Sequence, residues 1–153
     1  MEDAIADVLT ASICAAGLVA MAISLRNGAR RRRAALAAQW EHLVRMRADP
    51  RSRGAELVRV VRVYQRAARG SKALVAWATG GAQQDAWFWF WAVPVGAHVL
   101  VRSTIGYGPH NRNPSVLYVR QEDVLAWAPA GAMTAWQAAS GKGRWRRGGA
   151  ART

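Results

Sequence analysis

Eighteen consecutive residues, Val8 to Leu25, carry no charge, and Arg26, Arg30, Arg31, Arg32 and Arg33 follow at once. Only Glu2, Asp3 and Asp7 precede the run. The 22 residues from Ala4 to Leu25 make about 33 Å of helix at ~1.5 Å per residue, enough for a hydrocarbon core of about 30 Å. The sequence therefore predicts a transmembrane helix in residues 1–25 with a short outside N-terminus. Arginines on one flank predict that everything after Arg26 lies in the cytoplasm, at the inner (plasma) membrane. A cleaved secretory signal would carry a basic leader, and this one is acidic. A buried helix of a globular domain is the other competitor, because Ala, Ser and Thr dilute the run. Ala16 and Ala20 form a small-xxx-small pair that leaves homo-oligomer formation open.

The 153 residues leave room for one domain beside such an anchor. The net charge of +13 is unevenly spread. Residues 1–25 carry −3, residues 26–72 carry +11, residues 73–129 are neutral, and residues 130–153 carry +5. Proteins built to grip phosphates usually set basic side chains on their folded surface. Here the basic excess borders the apolar run, a pattern suited to anionic lipids, worth about 1 kcal/mol per basic residue near the surface. Arg26, Arg30, Arg31, Arg32 and Arg33 are the candidate lipid contacts. The single cysteine, Cys14, lies inside the apolar run and cannot form an intrachain disulfide.

Residues 26–69 read as a basic helical neck. Leu36, Trp40, Leu43 and Val44 fall on one helical stripe, and Asp49-Pro50 ends it. Farther on, Arg59, Arg62, Arg66 and Arg69 recur at steps of three, four and three, which predicts a helix over 55–69 with the arginines on one face. Val58, Val60, Val61 and Val63 favour strand instead, but strict alternation is absent.

Residues 70–129 change texture. Short apolar runs at 73–78, 86–93, 97–102, 116–120 and 124–127, separated by Gly, Pro and polar turns, predict five strands. Together they fit a small antiparallel β barrel, so the expected class is α+β. The long loop before the fourth strand resembles an SH3-like or Tudor-like barrel in architecture, with no family motif behind the likeness. Residues 130–153 read as a basic, disordered tail.

Trp87-Phe88-Trp89-Phe90-Trp91 is the densest signal in this region. In a strand Trp87, Trp89 and Trp91 share one face, and Phe88 and Phe90 share the other. One set fills a core, and the other needs cover from the neck helix (Trp40 and Leu43), a protein or peptide partner, or the membrane interface. The loop 105–114 adds Tyr107, His110 and Arg112, which would bind a small anion or a peptide carboxylate if they converge. Turn chemistry explains the same Gly, Pro and Asn residues.

No phosphate-binding loop, nucleophile–base pattern or metal-ligand spacing is visible, and His42, His98 and His110 are far apart in the chain. The expectation is a single-pass membrane-anchored protein, not an enzyme and without cofactor or metal, whose β module serves in binding or scaffolding. The alternative is a membrane-tethered, nucleic-acid-associated protein using the arginine-rich neck and tail.

Overall fold

The computed structural model describes residues 2–102 and 115–141, with side chains from Met21 onward except Ala22. Two compact units divide the chain, residues 1–35 and 36–153. Helix α1 (Glu2–Ala48) supplies all the described backbone of the first unit and ends in the second. Among the described residues no helix is long and apolar enough to cross a membrane. The side chains of residues 2–20 lie outside the description, so the spanning reading gains no support from the fold itself.

In the second unit α1 is amphipathic. Ala37, Trp40 and Leu43 are buried, Leu36 and Met46 partly so, and Val44 of the expected stripe faces solvent at 40% exposure. Arg45 and Arg47 sit in the last turn, where cations favour the negative end of the helix dipole. Asp49 then caps a single 3-10 turn over Pro50–Ser52, its Oδ1 accepting from Arg51 N at 2.8 Å.

The segment expected to continue as helix is a strand, β1 (Glu56–Ala67). Two irregularities, between Val60 and Arg62 and between Val63 and Gln65, each insert an extra residue into its pairing with β2 (Gly70–Trp77). Such bulges break the period of two. They turn an alternating strand into a sequence whose arginines step by three and four, so the helical spacing was an imitation. The valines' propensity was the better guide.

Four further strands follow, β3 (Gln83–Trp89), β4 (His98–Val101), β5 (Val116–Val119) and β6 (Val124–Ala128). With β2 they match the five expected runs, and β1 makes a sixth strand. The sheet order is β5-β3-β2-β1-β4-β6. It is not wholly antiparallel, because β3 and β5 pair in parallel, with Trp87 opposite Tyr118.

Strands β5 and β6 lie at opposite edges of the sheet yet are joined by only Arg120–Asp123. Laid flat, six strands would separate them by about 24 Å at ~4.8 Å per strand. Five Cα steps reach at most about 18 Å at ~3.6 Å each. The sheet must therefore curl, and it forms an open half-barrel rather than a closed barrel.

The inner face of the curl is a dry core of Val58, Val60, Val75, Phe88, Val99 and Leu117 with their neighbours. Val93 and Ala97 plug it from the segment after β3, where Gly96 N donates to Val60 O and Val60 N to Ala97 O, each at 2.8 Å. On the outer face, Leu57, Leu100, Ala126 and Ala128 are covered by Trp40 and Leu43 of α1 and by Ala132 and Trp136 of a second helix, α2 (Ala132–Ala139). The start of the expected disordered tail is thus a packed helix, because Ala132 and Trp136, four residues apart, bury one face. Residues 142–153 lie outside the described residues.

Candidate partner surface on the outer sheet face

Pairing places side chains of opposed residues on one face, so the outer face can be read across the sheet. Arg59 lies beside Ala76 and His98, Arg62 beside Leu74, Gln65 beside Lys72, Lys72 beside Trp87, and Trp87 beside Tyr118. Helix α1 covers only the β1, β4 and β6 part of this face. Trp40 and Leu43 do not reach the tryptophan row, contrary to the expected packing. They settle on Leu57 and Leu100, and Trp40 meets His98 edge-on at 4.9 Å.

The row itself divides. Trp87 and Trp89 stay together on the outer face, half-buried, with ring centroids 5.4 Å apart at 61°. Lys72 Nζ stands over the Trp87 ring, 5.1 Å from its centroid, a cation–π contact. Trp91 leaves them. Phe90 takes a left-handed backbone, φ 53°, which ends β3 and breaks the alternation. Trp91 consequently turns toward the inner side, edge-on to Phe88 at 5.6 Å and to Trp127 at 5.5 Å. Phe90, expected on the same face as Phe88, is 68% exposed.

Three buried nitrogens on this side of the sheet have no hydrogen-bond partner among the described residues: Nε1 of Trp87, Nε1 of Trp89 and Nδ1 of His98. Burial pushes the His98 imidazole below its ordinary pKa, and the Arg59 charge lowers it further. Asp85, the acid of β3, accepts from Tyr64 Oη at 3.0 Å. Tyr64 titrates above its usual value, first through desolvation and then through that bond to Asp85.

A shallow recess of about 420 Å³ opens at the β2–β3 turn between Leu74, Trp77, Gln84 and Asp85. Its wall is fixed by Trp77 Nε1 donating to Gln84 Oε1 at 3.1 Å and Gln84 Nε2 donating to Ser115 O at 2.9 Å. A second recess, about 590 Å³, lies at the end of α1 between Arg45, Asp49 and Arg51. Neither gathers an acid and a base in the arrangement that proton transfer needs. Among the described residues no cluster of His, Cys, Asp and Glu has the geometry to hold a metal ion.

Of the residues singled out in the sequence, Trp87 and Trp89 are brought together, Trp91 is not, and Tyr107, His110 and Arg112 lie outside the described residues. Arg26, Arg30, Arg31, Arg32 and Arg33 are all exposed on α1. Sequence reasoning missed Lys72 as the neighbour of Trp87, and Arg59 and Arg62 as residues of the same outer face. Assigning 55–69 to a strand would have found them, since only then does the basic row join the sheet. Phe90 carried no signal, because nothing in a run of alternating aromatics announces a left-handed residue. No protein-family model, curated protein or solved structure matches the chain.

Proposed function

We propose that this is a single-pass membrane-anchored protein whose half-barrel serves as a binding or scaffolding module at the cytoplasmic face of the inner membrane. The observation that carries the reading is an abrupt change along α1. Met21, Ile23 and Leu25 are exposed at 61%, 53% and 64%, with no protein cover, and five exposed arginines follow within eight residues. Apolar side chains left bare on a helix, ahead of a cationic cluster, are what lipid tails and anionic headgroups accommodate. In the sequence, the uncharged run from Val8 to Leu25 is of a length that fits a bilayer.

Binding rather than catalysis is the role the surfaces favour. The outer face offers aromatic rings and cations, groups suited to holding a partner. Membrane fractionation with protease protection tests the reading. We expect carbonate-resistant sedimentation and a protected fragment of about the first 25 residues. Recovery of the full-length chain in the soluble fraction would overturn it.

A second reading has its own support. Arg59, Arg62 and Lys72 share the outer face with Trp87 and Trp89, the mixture of cations and rings that binds single strands of nucleic acid. Filter binding over a salt series separates the two, since phosphate contacts lose affinity steeply as salt rises.

A further inference from the structure

Phe90 is the described non-glycine residue with positive φ, and it is also the most exposed of the described large apolar side chains. Single exposed apolar residues are ordinary, and exposure alone means little. Here the exposure is enforced by the backbone. Phe90 N donates to Arg69 O at 3.0 Å, and Phe90 O accepts from Gln121 Nε2 at 3.3 Å. The facing turn is equally fixed, since a Cβ on Gly70 would sit 1.9 Å from Phe88 O. A bulky residue held in a sparsely populated conformation by everything around it is a reason to look for function.

The surroundings say which function. Phe90 lies against Trp89, ring centroids 6.1 Å apart, and Trp89 against Trp87, so the outward ring is the tip of a continuous aromatic strip. Cations border that strip. Arg69 is hydrogen-bonded to Phe90 through the backbone and is exposed on the hairpin end, and Lys72 stands over Trp87. An exposed ring backed by half-buried tryptophans, with Lys72 over one of them and exposed Arg69 on the adjoining turn, suits the headgroup zone of a membrane. Amphipathic rings partition there, and anionic lipids attract bases.

We propose that the Phe90 end of the half-barrel is a membrane-contact site of the folded domain, inserting its ring into an anionic phospholipid surface while Arg69 and Lys72 engage the headgroups. The inference deepens the membrane reading above and rests on it for bringing the domain beside a bilayer. It predicts a contact made by the sheet, separate from the apolar run. A nucleic-acid strand is the competing occupant, but it would need rings laid flat along a cationic track, and here the exposed ring stands at a strand end.

The test uses the full chain in a Cys14→Ser background, with Phe90→Cys carrying an environment-sensitive fluorophore. Thr79→Cys, on the exposed turn at the opposite end of the sheet, is the control label. The probes are vesicles of phosphatidylcholine with and without phosphatidylglycerol. We expect a several-fold emission rise with a blue shift at position 90 on anionic vesicles, quenching by brominated lipid, little change at position 79, and loss of most of the rise with Arg69→Glu. Unchanged emission at position 90, an equal response at position 79, or a response to oligothymidylate instead of vesicles would overturn the proposal. Flotation of the same samples reports anchoring independently. Protein that floats without the emission rise defeats this contact alone, and protein that fails to float defeats the anchored reading.

Discussion

Trp40 of α1 meets His98 of β4 edge-to-face, with ring centroids 4.9 Å apart and planes at 88°. The helix thus closes over an imidazole whose Nδ1 is buried without a hydrogen-bond partner among the described residues. Burial, then the Arg59 charge, lowers the His98 pKa from its ordinary 6.5. The unfolded chain therefore takes up the proton first as pH falls. Stability is fully present above about pH 6.5 and is lost progressively as pH drops toward the depressed folded value. Urea unfolding followed by tryptophan fluorescence between neutral and mildly acidic pH should show that decline. In His98→Gln the slope should flatten.

Removing the helix's anchor tests the same interface without charge. Leu43 is 1% exposed and packs among Leu57, Leu100 and Ala126. Leu43→Ala leaves a cavity that a helix seated on a sheet can only partly collapse, at a cost of about 2–5 kcal/mol. Val44→Ala, one residue on and 40% exposed, should cost less than about 0.5 kcal/mol. Equal effects in denaturant titration would mean that α1 is not seated as described.

How far the sequence could be read depends on which force decides each segment. The short apolar runs of β2 to β6 were legible because each strand buries its inner face in the core of a small curled sheet, which leaves few other uses for them. Leu36, Trp40 and Leu43 were legible because nothing interrupts their helical period. β1 was not, because bulges at positions set by pairing with Val75 and Leu74 and with Ala73 and Lys72 scrambled its alternation, and pairing is a property of the partner strand. The division of the tryptophan row was hidden for a similar reason. It hinges on one φ angle at Phe90, fixed by Arg69 and Gln121, which are 21 and 31 residues away. The outer cationic–aromatic face could not be seen until both of those were known.

Ser71 links the end of the aromatic strand to the core. It is 1% exposed, and its Oγ donates to Trp91 O at 2.7 Å and accepts from Val93 N at 3.3 Å. Ser71→Ala leaves both backbone groups buried without that partner, at a cost of about 1–3 kcal/mol. Because Trp91 loses its backbone tether, the near-ultraviolet circular dichroism of the folded variant should also change. A stability loss below about 0.5 kcal/mol with an unchanged spectrum would remove Ser71 from this role.

Two glycines separate conformational strain from crowding. Gly70 has φ 132°, and an added Cβ would strike the Phe88 carbonyl oxygen at 1.9 Å. Gly80 has φ 86° with nothing within 4 Å of an added Cβ. Gly80→Ala should therefore cost only the left-handed penalty of about 1–2 kcal/mol. Gly70→Ala must also move backbone in β3 and should cost more than about 3 kcal/mol or prevent folding. Thermal denaturation of the pair gives the comparison.

Phe90 reverses the usual expectation for a glycine substitution. At φ 53° an L-residue with a bulky side chain is strained by about 1–2 kcal/mol, and glycine is not. Glycine also loses more entropy on folding, which takes back about 0.5–1 kcal/mol, and the Trp89 contact adds little at 6.1 Å and 40°. Phe90→Gly should thus leave stability unchanged or raise it by up to about 1 kcal/mol. If the ring is kept for contact with lipid, the same variant should show weaker association with anionic vesicles. Gain or constancy in stability together with loss of that association is the signature of a residue retained against its own backbone. A clear loss of stability in Phe90→Gly would mean that the ring holds the fold together, and the strain would then need no functional explanation.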